Sequence, residues 1–124
     1  MSGDSYLFDT NAILYLIHGS QTIQNSDAIV FISFITEIEL LAYNFLSEAE
    51  EKIIHKLLNE IEIINIDSKI KEKTIEIRKK SNVKIPDAII CATAFSVGLT
   101  LITNDERLHK IDEIRCCYLS EITG

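Results

Sequence analysis

The chain has 124 residues, 47% of them apolar and 25% charged, which suits one domain with a sizeable core. Its net charge of −7 argues against a surface that coats nucleic acid throughout. One proline, four glycines and no apolar run of about 20 residues leave little room for a linker, a low-complexity segment or a helical membrane span. The start, Met1-Ser-Gly-Asp-Ser5, has neither a basic region nor an apolar leader core, so a cytoplasmic protein is expected. Cys91, Cys116 and Cys117 show no ligand spacing and no even disulfide framework, and they read as reduced.

Residues 5–9 read as a short strand ending on Asp9. Thr10-Asn11 offers helix-cap chemistry, and Ile13, Leu14, Leu16 and Ile17 form a helical apolar cluster up to Gly19. Residues 21–27 are polar and read as a loop, and 28–33 read as a second buried strand. A helix follows over 36–44, with Thr36-Glu-Ile-Glu39 in capping-box form. Ser47-Glu-Ala-Glu50 opens another, carrying Ile53, Ile54, Leu57 and Leu58 at helical spacing.

Residues 61–66 read as a third strand. Asp67-Ser68 caps a helix with Ile70, Thr74 and Ile77 on one face. Pro86 suits the first turn of the next helix, and Asp87 beside it interacts well with the helix dipole. That helix is apolar or small almost all round, so it should pack on more than one side. Gly98 fits the residue that ends it. Residues 99–103 form a fourth strand that runs out at Asn104-Asp105. A short helical turn over 106–111 and a fifth strand over 114–119 complete the chain. Near-continuously apolar strands alternating with helices point to an α/β domain over 1–124, with a five-stranded parallel sheet covered on both faces.

In such a sheet, ligands sit outside the carboxyl ends of the strands. Asp9 and Asp105 follow strand ends, and Glu39 lies one turn into the helix after the second strand. Asp87 starts a helix antiparallel to the fourth strand, which brings it to the same edge. Each acid also has a bland reading. Asp9 can cap its helix, Glu39 can close the Thr36 box, Asp87 can serve the helix dipole, and Asp105 can belong to a Thr103-Asn-Asp-Glu106 capping box. Those readings leave unexplained why all four converge. Four acids together repel, and a hard divalent cation such as Mg²⁺ or Mn²⁺ removes the conflict. His18, His55 and His109 read as surface residues, and Tyr43, one turn after Glu39, as core packing.

The charge is unevenly spread. The first 51 residues hold eight acids and no Lys or Arg, while seven of the twelve basic residues fall between Lys69 and Lys84. The basic run reads either as a solvated helix face or as a phosphate-contacting patch beside the acids.

Four blocks carry a family resemblance: Phe8-Asp-Thr-Asn11, Ser33-Phe-Ile-Thr-Glu-Ile-Glu-Leu40, Pro86-Asp-Ala-Ile-Ile-Cys-Ala-Thr-Ala94 and Leu101-Ile-Thr-Asn-Asp105. In this order they resemble the signature blocks of PIN-domain ribonucleases, above all the small toxin nucleases of VapBC-type type II toxin–antitoxin pairs. The resemblance spans nearly the whole chain. It implies a three-layer α/β/α fold with sheet order 3-2-1-4-5, and a Mg²⁺- or Mn²⁺-dependent endoribonuclease that hydrolyses RNA with water. It carries the catalytic and metal-binding acids onto Asp9, Glu39, Asp87 and Asp105, and the accessory polar positions onto Asn11, Thr36, Thr103 and Asn104. Helices 36–46 and 50–58 carry large apolar residues, among them Leu41, Phe45, Leu46, Ile54 and Leu57, that can form an exposed apolar groove. The resemblance also implies a homodimer, and an antitoxin that lies in such a groove and places an arginine among the acids. Leu108 stands where many relatives have an aromatic residue, a difference expected to affect packing. Two rivals remain: a catalytically silent PIN-like module that binds protein or RNA, and a phosphatase-like enzyme with Asp9 as nucleophile. Asn11 counts against the second rival, since that class wants an acid there.

Overall fold

The structure, a computed structural model, describes residues 4–19, 22–44 and 47–124. The elements in order are β1 (Ser5–Phe8), α1 (Thr10–His18), β2 (Ile29–Ser33), α2 (Phe34–Leu41), α3 (Glu48–Glu60) and β3 (Glu62–Ile64). They continue with α4 (Ser68–Lys80), α5 (Ile85–Val97), β4 (Thr100–Ile102), α6 (Glu106–His109), β5 (Cys116–Cys117) and a 3-10 turn (Leu119–Glu121). The sheet runs β3-β2-β1-β4-β5, and every pairing is parallel. This is the order that the family resemblance implied.

Strand side chains alternate between faces, and the two faces carry separate cores. Phe8, Ile32 and Ile102 point to one side, where they pack with Ala12, Ile13, Leu40, Ile54, Leu119 and Ile122. Leu7 and Leu101 point to the other, packing with Ile70 and Ile77 of α4, Ala88 to Ala94 of α5, Leu108 and Ile114, with Phe31 and Ile64 alongside. Helices on both faces make three layers, and both cores reach full burial at β1 and β4. Helix α5 buries seven consecutive residues, Ala88 to Ala94, as expected of a helix apolar all round. Leu108 is almost fully buried in the α4/α5 core. No helix among the described residues is long and apolar enough to cross a membrane.

The predicted elements stand with shifted ends. The fifth strand shrinks to Cys116–Cys117, because the flanking backbone bonds leave the ladder. Ile114 N–H donates to the Ile111 carbonyl, and Leu119 N–H to Asn104 Oδ1. Asp67 and Ser47 cap their helices as expected. Two predicted capping boxes do not form. Helix α2 begins two residues before Thr36, with the Ser33 hydroxyl accepting from Ile35 N–H, so Thr36 is interior and Glu39 is no cap. Helix α6 is capped by Asp105 itself rather than by Thr103.

The basic run is not one patch. Lys73 is buried, bonds both carboxylate oxygens of Glu113 at 2.7 and 2.9 Å and Glu76 at 3.1 Å, and sits 4.0 Å above the centre of the Phe95 ring. It fastens α4 to the segment before β5. Arg78 donates to the Val83 carbonyl at 2.6 Å and so holds the α4–α5 turn. The other five basic residues of the run are exposed.

Gly98 closes α5 with φ +71°, and a Cβ added there would meet nothing within 4 Å. Only the backbone conformation resists a side chain. Gly98→Ala is therefore expected to lower stability by about 1 kcal/mol, with Gly98→Asn costing less. Equilibrium urea unfolding measures both, and equal stability of all three proteins would contradict the account.

Candidate active site

The sheet order reverses between β1 and β4, the place where an open α/β sheet leaves a crevice at its carboxyl edge. Asp9 and Thr103 follow those two strands. The Asp9 N–H donates to the Ile102 carbonyl at 3.1 Å, one step beyond the β1–β4 register. Asp9 is then the N-cap of α1, with Oδ1 accepting from Ala12 N–H at 2.8 Å. The capping reading was right, and it does not compete with the site reading. One oxygen satisfies the helix and leaves the other for the crevice.

The remaining acids arrive from other elements. Asp87 sits half-buried in the first turn of α5. Asp105 caps α6, its Oδ1 accepting from Arg107 N–H at 3.0 Å. Glu39 projects from α2, exposed, and accepts from the Thr10 hydroxyl. The Thr10 and Thr36 hydroxyls are paired at 3.1 Å, with Thr36 fully buried, so this threonine pair ties α1 to α2 beneath Glu39. A cavity of about 320 Å³ opens among Asp9, Thr10, Asn11, Glu39 and Asp87, with Leu14, Tyr43 and Ile90 as its apolar wall.

Charge couples the acids. Burial pushes the Asp9 carboxyl above the ordinary carboxylate range, and the charges of Asp87 and Asp105 push it the same way. Hydrogen bonds from the Thr103 hydroxyl and the Ala12 N–H oppose the rise. Asp87 is raised by burial first, then by the charge of Asp105, with Glu39 adding and Arg107 and Lys84 opposing. Asp105 is held low, chiefly by its hydrogen bond from Arg107. Thr103 stands beside two of the acids: its Oγ1 accepts from Asp105 N–H at 3.1 Å, and its hydroxyl favours the charged form of Asp9.

Arg107 and Thr10 complete the setting, and sequence reasoning did not single out either as a site residue. The Arg107 guanidinium grips both Asp105 oxygens, Nε to Oδ1 at 3.1 Å and Nη2 to Oδ2 at 2.6 Å, and the same Nη2 stands 3.7 Å from Asp87 Oδ2. The available signal was its place two residues after a capping aspartate, from which a side chain can fold back onto the cap. The histidines are less uniform than expected. His18 is exposed and paired with Glu50, whereas His109 is half-buried, stacks on Tyr118 at 3.9 Å and donates from Nε2 to the Thr103 carbonyl at 2.8 Å. Asn11 is exposed on the cavity rim, while Asn104 turns away to hold Leu119 N–H at 3.0 Å.

Among the described residues, no three acid, histidine or cysteine side chains stand close enough together to hold an ion as they are arranged. The donor chemistry nevertheless fits a hard divalent cation. Every donor is oxygen, and Asp9 and Asp87 carry a burial and repulsion penalty that a cation would relieve.

Comparison with known proteins identifies the fold and the family. None of the curated proteins matches the chain. Among solved structures, a chain of a toxin–antitoxin complex from Klebsiella pneumoniae is 30% identical, with 88% of this chain and 94% of that chain covered and a TM-score of 0.70. A chain of the DNA-bound VapBC complex from Salmonella typhimurium is 22% identical, with 94% and 99% covered and a TM-score of 0.79. A chain of a VapBC complex from Rickettsia felis, bound to a promoter DNA fragment, is 20% identical, with 92% and 98% covered and a TM-score of 0.77. Residues 6–114 match the family described as PIN domain, from β1 through the end of the α4/α5 core, and the chain belongs to that family.

Proposed function

We propose that the chain, as one PIN unit over residues 1–124, is a metal-dependent endoribonuclease that acts as the toxin of a type II toxin–antitoxin pair in the cytoplasm. The observation that carries this reading is the gathering of Asp9, Glu39 and Asp87 around one cavity at the β1/β4 crevice, with Asp105 tied to Asp87 through Arg107. Asp9, Asp87 and Asp105 would hold Mg²⁺ or Mn²⁺, with Glu39 as a further ligand or as an orienting group. Such an ion activates the attacking water and neutralises charge gathering on the phosphodiester. The chain's own residues do the rest. Thr103 Oγ1 holds the Asp105 N–H, Thr10 orients Glu39, and Leu14 and Ile90 form an apolar wall beside the acids.

The partners follow from the same reading. RNA is the substrate, and the protein works as a homodimer. An antitoxin segment would lie along α2 and α3, where Ile38, Leu41 and Ile53 are exposed, and present an arginine to the acids. Of the other residues expected in that groove, Ile54 is instead buried in the core and Leu57 packs half-buried against it, because α3 turns that face to the sheet, while Phe45 and Leu46 fall outside the described residues. The likeness to toxin–antitoxin chains supports the pairing. One observation favours the silent-module reading: the acids are not gathered at ion-holding distance.

A short assay separates the readings. Purified protein is expected to cut internally labelled RNA with Mn²⁺ and to stop in excess chelator. Cleavage that persists in chelator would refute the metal role, and release of inorganic phosphate from small esters would favour the phosphatase. No cleavage with either ion would leave the binding module.

Asp9→Asn keeps an oxygen for Ala12 N–H and removes the charge. Rate is expected to fall by roughly 100-fold or more. The stability effect has a definite sign. The Asp9 pKa is raised in the folded protein, so its contribution is full below the unfolded value near ~3.9 and is lost as pH rises through the folded value. The variant should therefore match wild type at low pH and be more stable at pH 7. A lower melting temperature at pH 7 with activity intact would make Asp9 a cap alone.

Glu39→Gln retains an acceptor for Thr10, and no helix cap depends on it. The fold should be unchanged while the rate drops more than roughly tenfold. Equal rates across a Mn²⁺ series would remove Glu39 from the site.

A further inference from the structure

Arg107 occupies the acids in the way a bound cation would. Its guanidinium takes both oxygens of Asp105 and stands 3.7 Å from Asp87 Oδ2, so one side chain spans two of the proposed ligands. Asp105 Oδ1 accepts from Arg107 N–H as well, which leaves that carboxylate no oxygen without a donor from Arg107. A divalent ion competes for the same oxygens and is repelled by the guanidinium, so the two do not share the place on favourable terms. We infer that Arg107 is a built-in counter-ion of the metal-free site, and that a divalent ion binds only by displacing it. The inference rests on the metal-site reading above.

The local construction allows the exchange. The backbone of α6 is fixed, because Leu108 is buried and the Asp105 cap bond to Arg107 N–H involves no guanidinium. The Arg107 side chain is 59% exposed, so it can withdraw without unpacking the core. It also borders a second cavity of about 220 Å³, formed with Ser81, Asn82, Val83, Lys110 and Ile111, whose lining includes none of the four acids. Withdrawal removes a cation from Asp105 and Asp87 as the ion supplies another, so the acids are never left without a counter-charge. The ion pair must be broken on each loading, and metal affinity is lower by that amount.

The test reads metal binding directly. Mn²⁺ is titrated into wild type, Arg107→Gln, Arg107→Lys and Lys84→Gln, with free Mn²⁺ followed by electron paramagnetic resonance. Lys84 is the control, since its charge acts on Asp87 without a bidentate grip. Arg107→Gln is expected to bind Mn²⁺ roughly fivefold more tightly, Arg107→Lys by an intermediate factor, and Lys84→Gln less than about twofold. Mn²⁺ should also raise the melting temperature of Arg107→Gln more than that of wild type. Binding by Arg107→Gln alone would support the inference in its strongest form. Equal or weaker binding by Arg107→Gln overturns it, as does a gain in Lys84→Gln that matches Arg107→Gln. Absence of binding by wild type and every variant overturns the metal-site reading itself, and the inference with it.

Discussion

A parallel sheet buried on both faces has one place where polar chemistry can collect. Between Leu7 and Phe8, and again between Leu101 and Ile102, successive side chains enter two different cores and are fully buried in them. Neither core has room for a charge without a partner. The chain turns acidic as it leaves both strands, and because they run in parallel they leave at the same edge. Asp9 and Asp105 stand at adjacent exits. The site is a consequence of strand direction as much as of the acids themselves.

Much of this could be read in the sequence. Apolar runs and their spacing gave the alternation of strands and helices, and the strand-terminal acids gave the edge. Sheet order came from the family blocks, since periodicity does not say which strand neighbours which. Cap assignments went wrong where two polar residues competed. Ser33 and Thr36 both suit the start of a helix, and the burial of Thr36 against Thr10 decided for Ser33. Lys73 misled for a related reason. A lysine in a basic run looks solvated until its partner, Glu113, arrives from 40 residues away. Arg107 was invisible because its role depends on a side-chain rotation rather than on spacing.

Capping and charge clustering proved compatible. Asp9 and Asp105 each give one oxygen to a helix N–H, which fixes the carboxylate in place. A group pinned this way has little freedom to turn away from its neighbours, so the repulsion is held in the folded state rather than avoided. Thr103 adds to this, its Oγ1 accepting from Asp105 N–H. His109 in turn fixes the Thr103 carbonyl at 2.8 Å, which links the stacked His109–Tyr118 pair to the acids through a single residue.

The unit formed by α5, Gly98 and β4 works as a caliper. From Asp87 to Gly98 the helix travels about 17 Å, and from there the chain returns over seven residues, about 23 Å at full extension, to Asp105. The return brings Asp105 close enough to Asp87 for one arginine, Arg107, to reach both. One residue added to or taken from α5 would turn Asp87 by about 100° around the helix and shift it by about 1.5 Å. No side-chain substitution could restore the meeting. The spacing of 18 positions between these aspartates is thus a length requirement written into the chain, and loops elsewhere can vary in size while this segment cannot.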